Sequence, residues 1–243
     1  MEKLLSVSPQ NSVENRLLGA LPSLEYERLA PHLISVDLSA GTIIYEPVQE
    51  IEFAYFPCSA MISIVSIMEN GATTEIGLIG KEGMVGLPII LGGKHHANQA
   101  IVQIPGTALK LEGSILQQEF HTSHSLQKLL LLYIQARLTQ VSQTAACNRQ
   151  HKIEQRLARW LLSVYDCVSS HEIPLTQEFI ANMLGTRRSG VTIAANILQE
   201  AGLIRYSRGK ITILNQEQLE NAACECYRLV QDEFIRLLGT KRG

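Results

Sequence analysis

The sequence predicts an α+β protein in three parts: an N-terminal antiparallel β-roll of the jelly-roll kind (residues 1–122), a long central dimerisation helix (123–147), and a C-terminal winged helix-turn-helix (148–243). Three observations carry this expectation. Ten of the 17 glycines fall between Gly41 and Gly113, among short β-prone runs. From Ser114 to Ile173 there is neither glycine nor proline, and leucines recur at threes and fours. From Pro174 to Leu214, two short helical patterns flank a glycine and lead into two β-prone runs.

In chain order, Val13–Leu21 and Leu24–Leu33 read as short helices around Pro22. Six runs follow at intervals of roughly ten residues, the spacing of an antiparallel sandwich or barrel. They are Thr42–Tyr45, Phe53–Phe56, Met61–Ile67, Thr73–Ile79, Ala100–Ile104 and Thr107–Leu111, with turn signals at Asn70-Gly71 and Pro105-Gly106. In the central segment Leu126, Leu130, Ile134, Leu138, Val141 and Ala145 recur at the spacing of a coiled-coil seam. A helix of that length exceeds what one small domain can cover, so a parallel homodimer is expected. Asn148–Ser170 reads as a further helix roofing the C-terminal unit, and Gln216–Leu238 as a last helix without an assigned role.

Residues 174–214 carry the functional signal. Thr176 is suited to cap a first helix, with Glu178 in its first turn, where the helix dipole favours negative charge. Ile180 and Leu184 share a face with the small Ala181, so a second helix can approach closely. Gly185 stands where a tight turn needs positive φ. Thr186 is placed to cap the second helix, which runs to about Glu200 with Gly202 beyond its end. At about 100° per residue, Val191, Ala194 and Leu198 fall on one side of that helix. Arg188, Thr192, Asn196 and Gln199 fall on the other, with Ser189 beside them. That outward stripe has the chemistry of base reading: arginine forks onto guanine, and asparagine or glutamine pairs with adenine. Leu203–Tyr206 and Ile211–Leu214 form a hairpin whose tip, with Arg208 and Lys210 around Gly209, suits a phosphate backbone. Thr176, Gln177, Thr186, Arg187, Arg188, Ser189, Thr192, Asn196, Arg208 and Lys210 are therefore the candidate DNA contacts.

Composition narrows the alternatives. The formal charge is −2, so DNA affinity must come from a local patch. From Pro174 to Leu214 five basic residues face two acidic ones, a net of +3 that dimerisation doubles. The first ten residues lack the pattern of a signal peptide, and the densest apolar run, Leu129–Leu132, is too short to span a bilayer, so no membrane partner and a cytoplasmic location are expected. The odd count of five cysteines has no framework spacing and fits reduced thiols. Cys224 and Cys226 flank one residue, but no other clustered ligands accompany them in the sequence, so no metal is expected there. An enzyme of the cupin kind would need inward-facing metal ligands. Adjacent His95 and His96 cannot both point inward from a strand, and no catalytic triad, P-loop or dinucleotide fingerprint is present. A ligand-sensing module that regulates a protein partner is the alternative to DNA binding, and the complete helix-turn-helix with its basic wing argues against it.

A β-roll, a long helix and a winged helix in this order resemble the CRP/FNR family of bacterial transcription regulators. The resemblance covers nearly the whole chain and is strongest in CNRQHKIEQRLARWLL (147–162), LTQEFIANMLGTRRSGVT (175–192) and CECY (224–227). It implies a sequence-specific regulator that binds a palindromic operator in double-stranded DNA as a homodimer, with RNA polymerase as a further partner. It also implies that Arg188 reads guanine. Ser189 stands where the family commonly has a cytosine-reading glutamate, and Ile193 where many members have a second arginine, so the operator departs from that of the best-known members. In the cyclic-nucleotide pocket of the family a Gly-Glu pair holds the ribose and an arginine seats the phosphate. Here Gly86-Leu87 and Asn98-Gln99 occupy those places, and the degenerate pocket is not expected to bind cyclic AMP. The first cysteine is Cys58, which leaves no N-terminal iron–sulfur cluster, and His95 and His96 read as solvent-exposed rather than as haem ligands. No cofactor is expected, and the effector is open.

Overall fold

The computed structural model describes residues 13–207 and 209–239. The β-roll consists of two antiparallel sheets. One orders β1 (Ile34–Leu38), β7 (Gly106–Glu112) and β3 (Phe53–Pro57) as β1-β7-β3. The other orders β2 (Ile43–Tyr45), β6 (Gln99–Ile104), β4 (Met61–Ile67) and β5 (Thr73–Ile79) as β2-β6-β4-β5. All six expected runs are strands. β1 was not anticipated, because most of this edge strand is exposed and its apolar signal is weak. The N-terminal helices are shorter than expected: α1 covers Arg16–Gly19 and α2 Ser23–Leu29. A 3-10 turn at Ala30–His32 then ends the segment, where Pro31 cannot continue an α-helix.

Three helices follow the short α3 (Pro88–Leu91): α4 (Gly113–Thr122), α5 (His124–Gln150) and α6 (Ile153–Val168). Ser123 separates α4 from α5 by capping the latter, its hydroxyl accepting from the Leu126 amide at 3.2 Å. The expected α5–α6 boundary shifts by a few residues, because His151 and Lys152 leave helical geometry before α6 begins. After β8 (Glu172–Ile173) come α7 (Gln177–Met183), α8 (Arg188–Glu200), the hairpin β9 (Ile204–Ser207) and β10 (Lys210–Ile213), α9 (Gln216–Ala222) and α10 (Cys226–Leu238). The hairpin is part of a three-stranded sheet ordered β8-β10-β9.

The two apolar cores share one sheet. Ile62 and Ile64 of β4 point into the roll with Phe56 and Leu111. Met61 and Val65 alternate to the outer face, where Leu78 and Ile104 join them against Leu157, Trp160 and Leu161 of α6. Glu75 of β5 fixes this junction: it is buried, accepts from Ser63 Oγ at 2.6 Å and from Trp160 Nε1 at 3.0 Å. The C-terminal unit therefore does not bury its core by itself; it uses the outside of the roll.

α10 explains the last helix of the sequence. It lies along α5, with Phe234 edge-on to Tyr133 at 6.5 Å between ring centroids, and Val230 and Leu238 join the roll core. The expected α5 seam is corrected at its start. Leu126 and Leu130 are buried among the chain's own core residues and cannot face a second copy. Ile134 is half-buried, whereas Leu138, Val141 and Ala145 are exposed, as is Leu131, one turn before Ile134 and absent from the expected set.

Candidate DNA-binding surface and sensor cavity

The helix-turn-helix is built from local signals. Thr176 caps α7, its hydroxyl accepting from the Phe179 amide at 3.2 Å. Ile180, Ala181 and Leu184 pack against Val191, Ala194 and Leu198 of α8. Gly185 adopts φ +58, and an added Cβ would meet the Thr74 side chain at 3.1 Å, so both the backbone and the neighbouring strand favour glycine. The expected cap at Thr186 is corrected. The Thr186 amide closes the turn onto Ala181 O at 2.9 Å, and the extended residue before α8 is Arg187, which makes no side-chain cap.

Arg187, Arg188, Ser189 and Asn196 are exposed on the outer face of α8. Arg188 Nε lies 3.9 Å from Glu178 Oε2, and both side chains are well solvated, so this pair holds the arginine only weakly. Thr192, expected as a DNA contact, donates to Gln177 Oε1 at 2.7 Å and reaches the Arg188 carbonyl at 3.1 Å, tying α7 to α8. Gln199 Oε1 accepts from the Tyr206 amide at 2.8 Å and fixes the wing to the helix. Ile193 is 60% exposed and Ile197 45% on the same outer face, an apolar surface suited to thymine methyls. Ile197 escaped the sequence reading because an isoleucine in a helix ordinarily reports burial.

At the wing, Gly209 takes φ +78 between the strands. Arg208 lies outside the described residues. Lys210, expected as a phosphate contact, forms an ion pair with Glu172 of β8. Both groups are half-exposed, so the pair lowers the local positive charge without burying it.

A cavity of about 230 Å³ lies between the roll and α5. Gly86 and Leu87 line it as expected; Gly86 has φ +110, and a Cβ there would stand 3.1 Å from Ala54 Cα. Asn98 and Gln99 do not line it, which corrects their assignment. The Asn98 amide donates to His96 Nδ1 at 3.0 Å, and Gln99 Nε2 donates outward to Glu46 Oε2 at 2.8 Å. The polar lining comes instead from Tyr45, His96 and Arg137 among aliphatic side chains. His96 is therefore corrected from a solvent-exposed residue to a half-buried wall of the cavity, while His95 is exposed. Arg137 is 8% exposed, and its Nη1 donates to the Leu78 carbonyl at 2.7 Å and to Gln140 Oε1. Gly77 makes room for it, since a Cβ there would fall 2.6 Å from Arg137 Nη2. Burial, then the Arg137 charge, lowers the His96 pKa and favours neutral imidazole. Burial pushes the Tyr45 phenol up to about 12.

Cys224 and Cys226 are not isolated, contrary to expectation. Cys147 near the end of α5 and His151 at the α5–α6 break join them, and the four ligand atoms lie within 4.8 Å of one another. The Cys147 and Cys224 sulfurs are 3.5 Å apart, and the hydrogen bond between them draws the Cys147 thiol below its usual range while raising that of Cys224.

Two family descriptions match the sequence: a cyclic nucleotide-binding domain over residues 35–123 and a Crp-like helix-turn-helix domain over residues 155–222. Together they span well over half of the chain. A comparison with curated proteins finds no match. Among solved structures, FixK2 from Bradyrhizobium japonicum is similar at 16% identity and TM-score 0.68, over 79% of this chain and 98% of that one. TTHB099, a CRP-family transcriptional regulator from Thermus thermophilus, is similar at 18% identity and TM-score 0.65, over 77% of this chain and 96% of that one. The c-di-GMP responsive global regulator CLP from Xanthomonas campestris is similar at 17% identity and TM-score 0.63, over 80% of this chain and all of that one (100%). At these identities the structural likeness speaks for the fold.

Proposed function

The chain belongs to the CRP/FNR family of DNA-binding transcription regulators, and from that premise we propose that it binds a palindromic operator as a homodimer and senses an effector other than cyclic AMP. The observation that carries the dimer is the uncovered part of α5. Leu131, Leu138 and Ala145 repeat every seven residues, with Ile134 and Val141 between them, while α10 occupies another face of the helix. Joining two copies there would set two α8 helices toward half-sites about 34 Å apart, one helical turn of DNA. Arg188, Ser189 and Asn196, with Ile193 and Ile197, would meet base edges. Thr176, Thr186, Arg187 and the wing would meet phosphates. RNA polymerase is the expected protein partner at the promoter, and the cytoplasm the expected location; among the described residues no helix is long and apolar enough to cross a membrane.

The cavity chemistry supports the second half of the reading. Leu87 offers no acceptor for ribose hydroxyls, and a buried hydroxyl left unpaired costs about 1–3 kcal/mol. Arg137 supplies a cation, but from α5 and with one nitrogen already committed. An aliphatic wall, a neutral imidazole, a phenol and one guanidinium suit a compact, largely apolar molecule with a single anionic group. Ile134, Leu138 and Val141 line both cavity and seam, so filling one would bias the other.

Selection from a pool of random duplexes, with the oligomer measured by sedimentation equilibrium, tests the proposal. A two-fold symmetric consensus bound by a dimer is expected. A monomer that selects no sequence would overturn the reading, and tight calorimetric binding of cyclic AMP would overturn the sensor assignment alone.

A further inference from the structure

The three cysteines and one histidine at the base of α5 have no part in reading DNA or in the sensor cavity. Cys147 and His151 are four residues apart, one turn of helix, so both side chains leave the same face where α5 ends. Cys224 precedes α10 and Cys226 is its first residue. Two ligand pairs, far apart in sequence, therefore meet at the junction between the central helix, the DNA-binding unit and the last helix. Three of the four residues are buried, and the cysteines form their own apolar cluster.

We propose that Cys147, His151, Cys224 and Cys226 form a structural zinc site that pins this junction. The ligand set is the Cys3His combination of closed tetrahedral zinc sites, with zinc–sulfur bonds of about 2.3 Å and zinc–nitrogen bonds of about 2.0–2.1 Å. Such bonds place sulfurs about 3.8 Å from each other and about 3.6 Å from the nitrogen. The Cys147–Cys224 separation is 3.5 Å, and Cys226 Sγ lies 3.4 Å from His151 Nδ1. The compactness fits a single ion rather than a cluster spread over two irons. Binding displaces the three thiol protons, leaving three thiolates around one dication.

The surroundings are those of a metal-bound imidazole. His151 Nε2, the nitrogen turned away from the sulfurs, lies 3.1 Å from Glu225 Oε1, the carboxylate–histidine arrangement that fixes ring orientation. Gln143 Nε2 donates to Cys226 Sγ at 3.1 Å. Three thiolates on one zinc leave a net charge of −1. The Nε atoms of Arg156 and Arg159, on the first turns of α6 just beyond His151, are buried without a hydrogen-bond partner. The site faces cations able to balance it. An ion there would join the end of α5 to the start of α10 and so hold the angle at which α6 carries the reading head.

Elemental analysis of the full chain, purified reduced and without chelator, tests this directly. One zinc per chain is expected, and cobalt exchanged into the site is expected to show thiolate charge-transfer and intense tetrahedral bands. Cys224→Ser should abolish stoichiometric zinc and weaken the cobalt charge-transfer band. Because that variant could also fail to fold, Glu225→Gln serves as a second arm: all four ligands remain, and zinc affinity measured against a competing chelator should fall about 10–100-fold. Cys58→Ser should change none of these readings. The proposal is overturned if the folded, reduced protein takes up neither zinc nor cobalt, if Cys58→Ser loses metal as Cys224→Ser does, or if the isolated protein carries a Cys147–Cys224 disulfide.

Discussion

The α8 helix and the cavity between the roll and α5 are built on opposite plans. α8 is one contiguous segment whose inner face packs and whose outer face stays wet, so its reading side chains can change without disturbing the core. The cavity draws its walls from β2, β4, β5, the loop carrying Gly86, the turn at His96, and α5. Tyr45 and Val141 meet there only because the chain has already folded. A surface of the first kind carries specificity in individual side chains. A pocket of the second kind carries it in how elements sit together, and its α5 wall includes the exposed Leu138 and Val141.

The largest effect should come where the two plans meet. Leu138→Asp places a charge on a 63% exposed seam residue that also lines the cavity. Sedimentation should find a monomer, and operator affinity should fall toward non-specific binding, on the order of a thousandfold or more. A dimer with unchanged affinity would move the interface off α5. Arg188→Ala should leave the thermal midpoint alone, cost about 1–3 kcal/mol, and relax preference at one base position; a uniform loss across all sequences would place Arg188 on the backbone instead. Trp160→Phe removes the indole bond to buried Glu75 across the roll–α6 junction. Because that acceptor is a carboxylate, chemical denaturation should register a loss of about 1.5 kcal/mol. An unchanged stability would show that apolar packing alone holds the two parts together. Lys210→Ala should do least: with Glu172 already on the lysine, the salt dependence of DNA binding should flatten by less than about one counterion. A full unit of slope would mean that the pair opens on DNA.

The helix-turn-helix was legible because each of its devices is short-range. A capping threonine, a left-handed glycine and an apolar stripe at helical spacing act within a few residues of one another, and all three are present at Thr176, Gly185 and Val191–Leu198. Neighbours a short way off add what the local pattern does not carry: Gln177 takes the Thr192 hydroxyl and Glu172 pairs with Lys210. The apolar face of α5 was legible only in part. Periodicity identifies an apolar face but not what covers it, and the roll core claims Leu126 and Leu130 while leaving Leu138 exposed.

By itself the sequence determined the family and the order of roll, long helix and winged helix, because hydrophobic period and turn chemistry are properties of adjacent residues. Tertiary structure alone decided that Arg137 and His96 wall the cavity in place of Asn98 and Gln99. It alone laid the outer face of β4 under α6, and it alone brought Cys147 and His151 to Cys224 and Cys226. Those meetings depend on packing between segments tens of residues apart, and no local pattern in a chain encodes which distant surface will close over it.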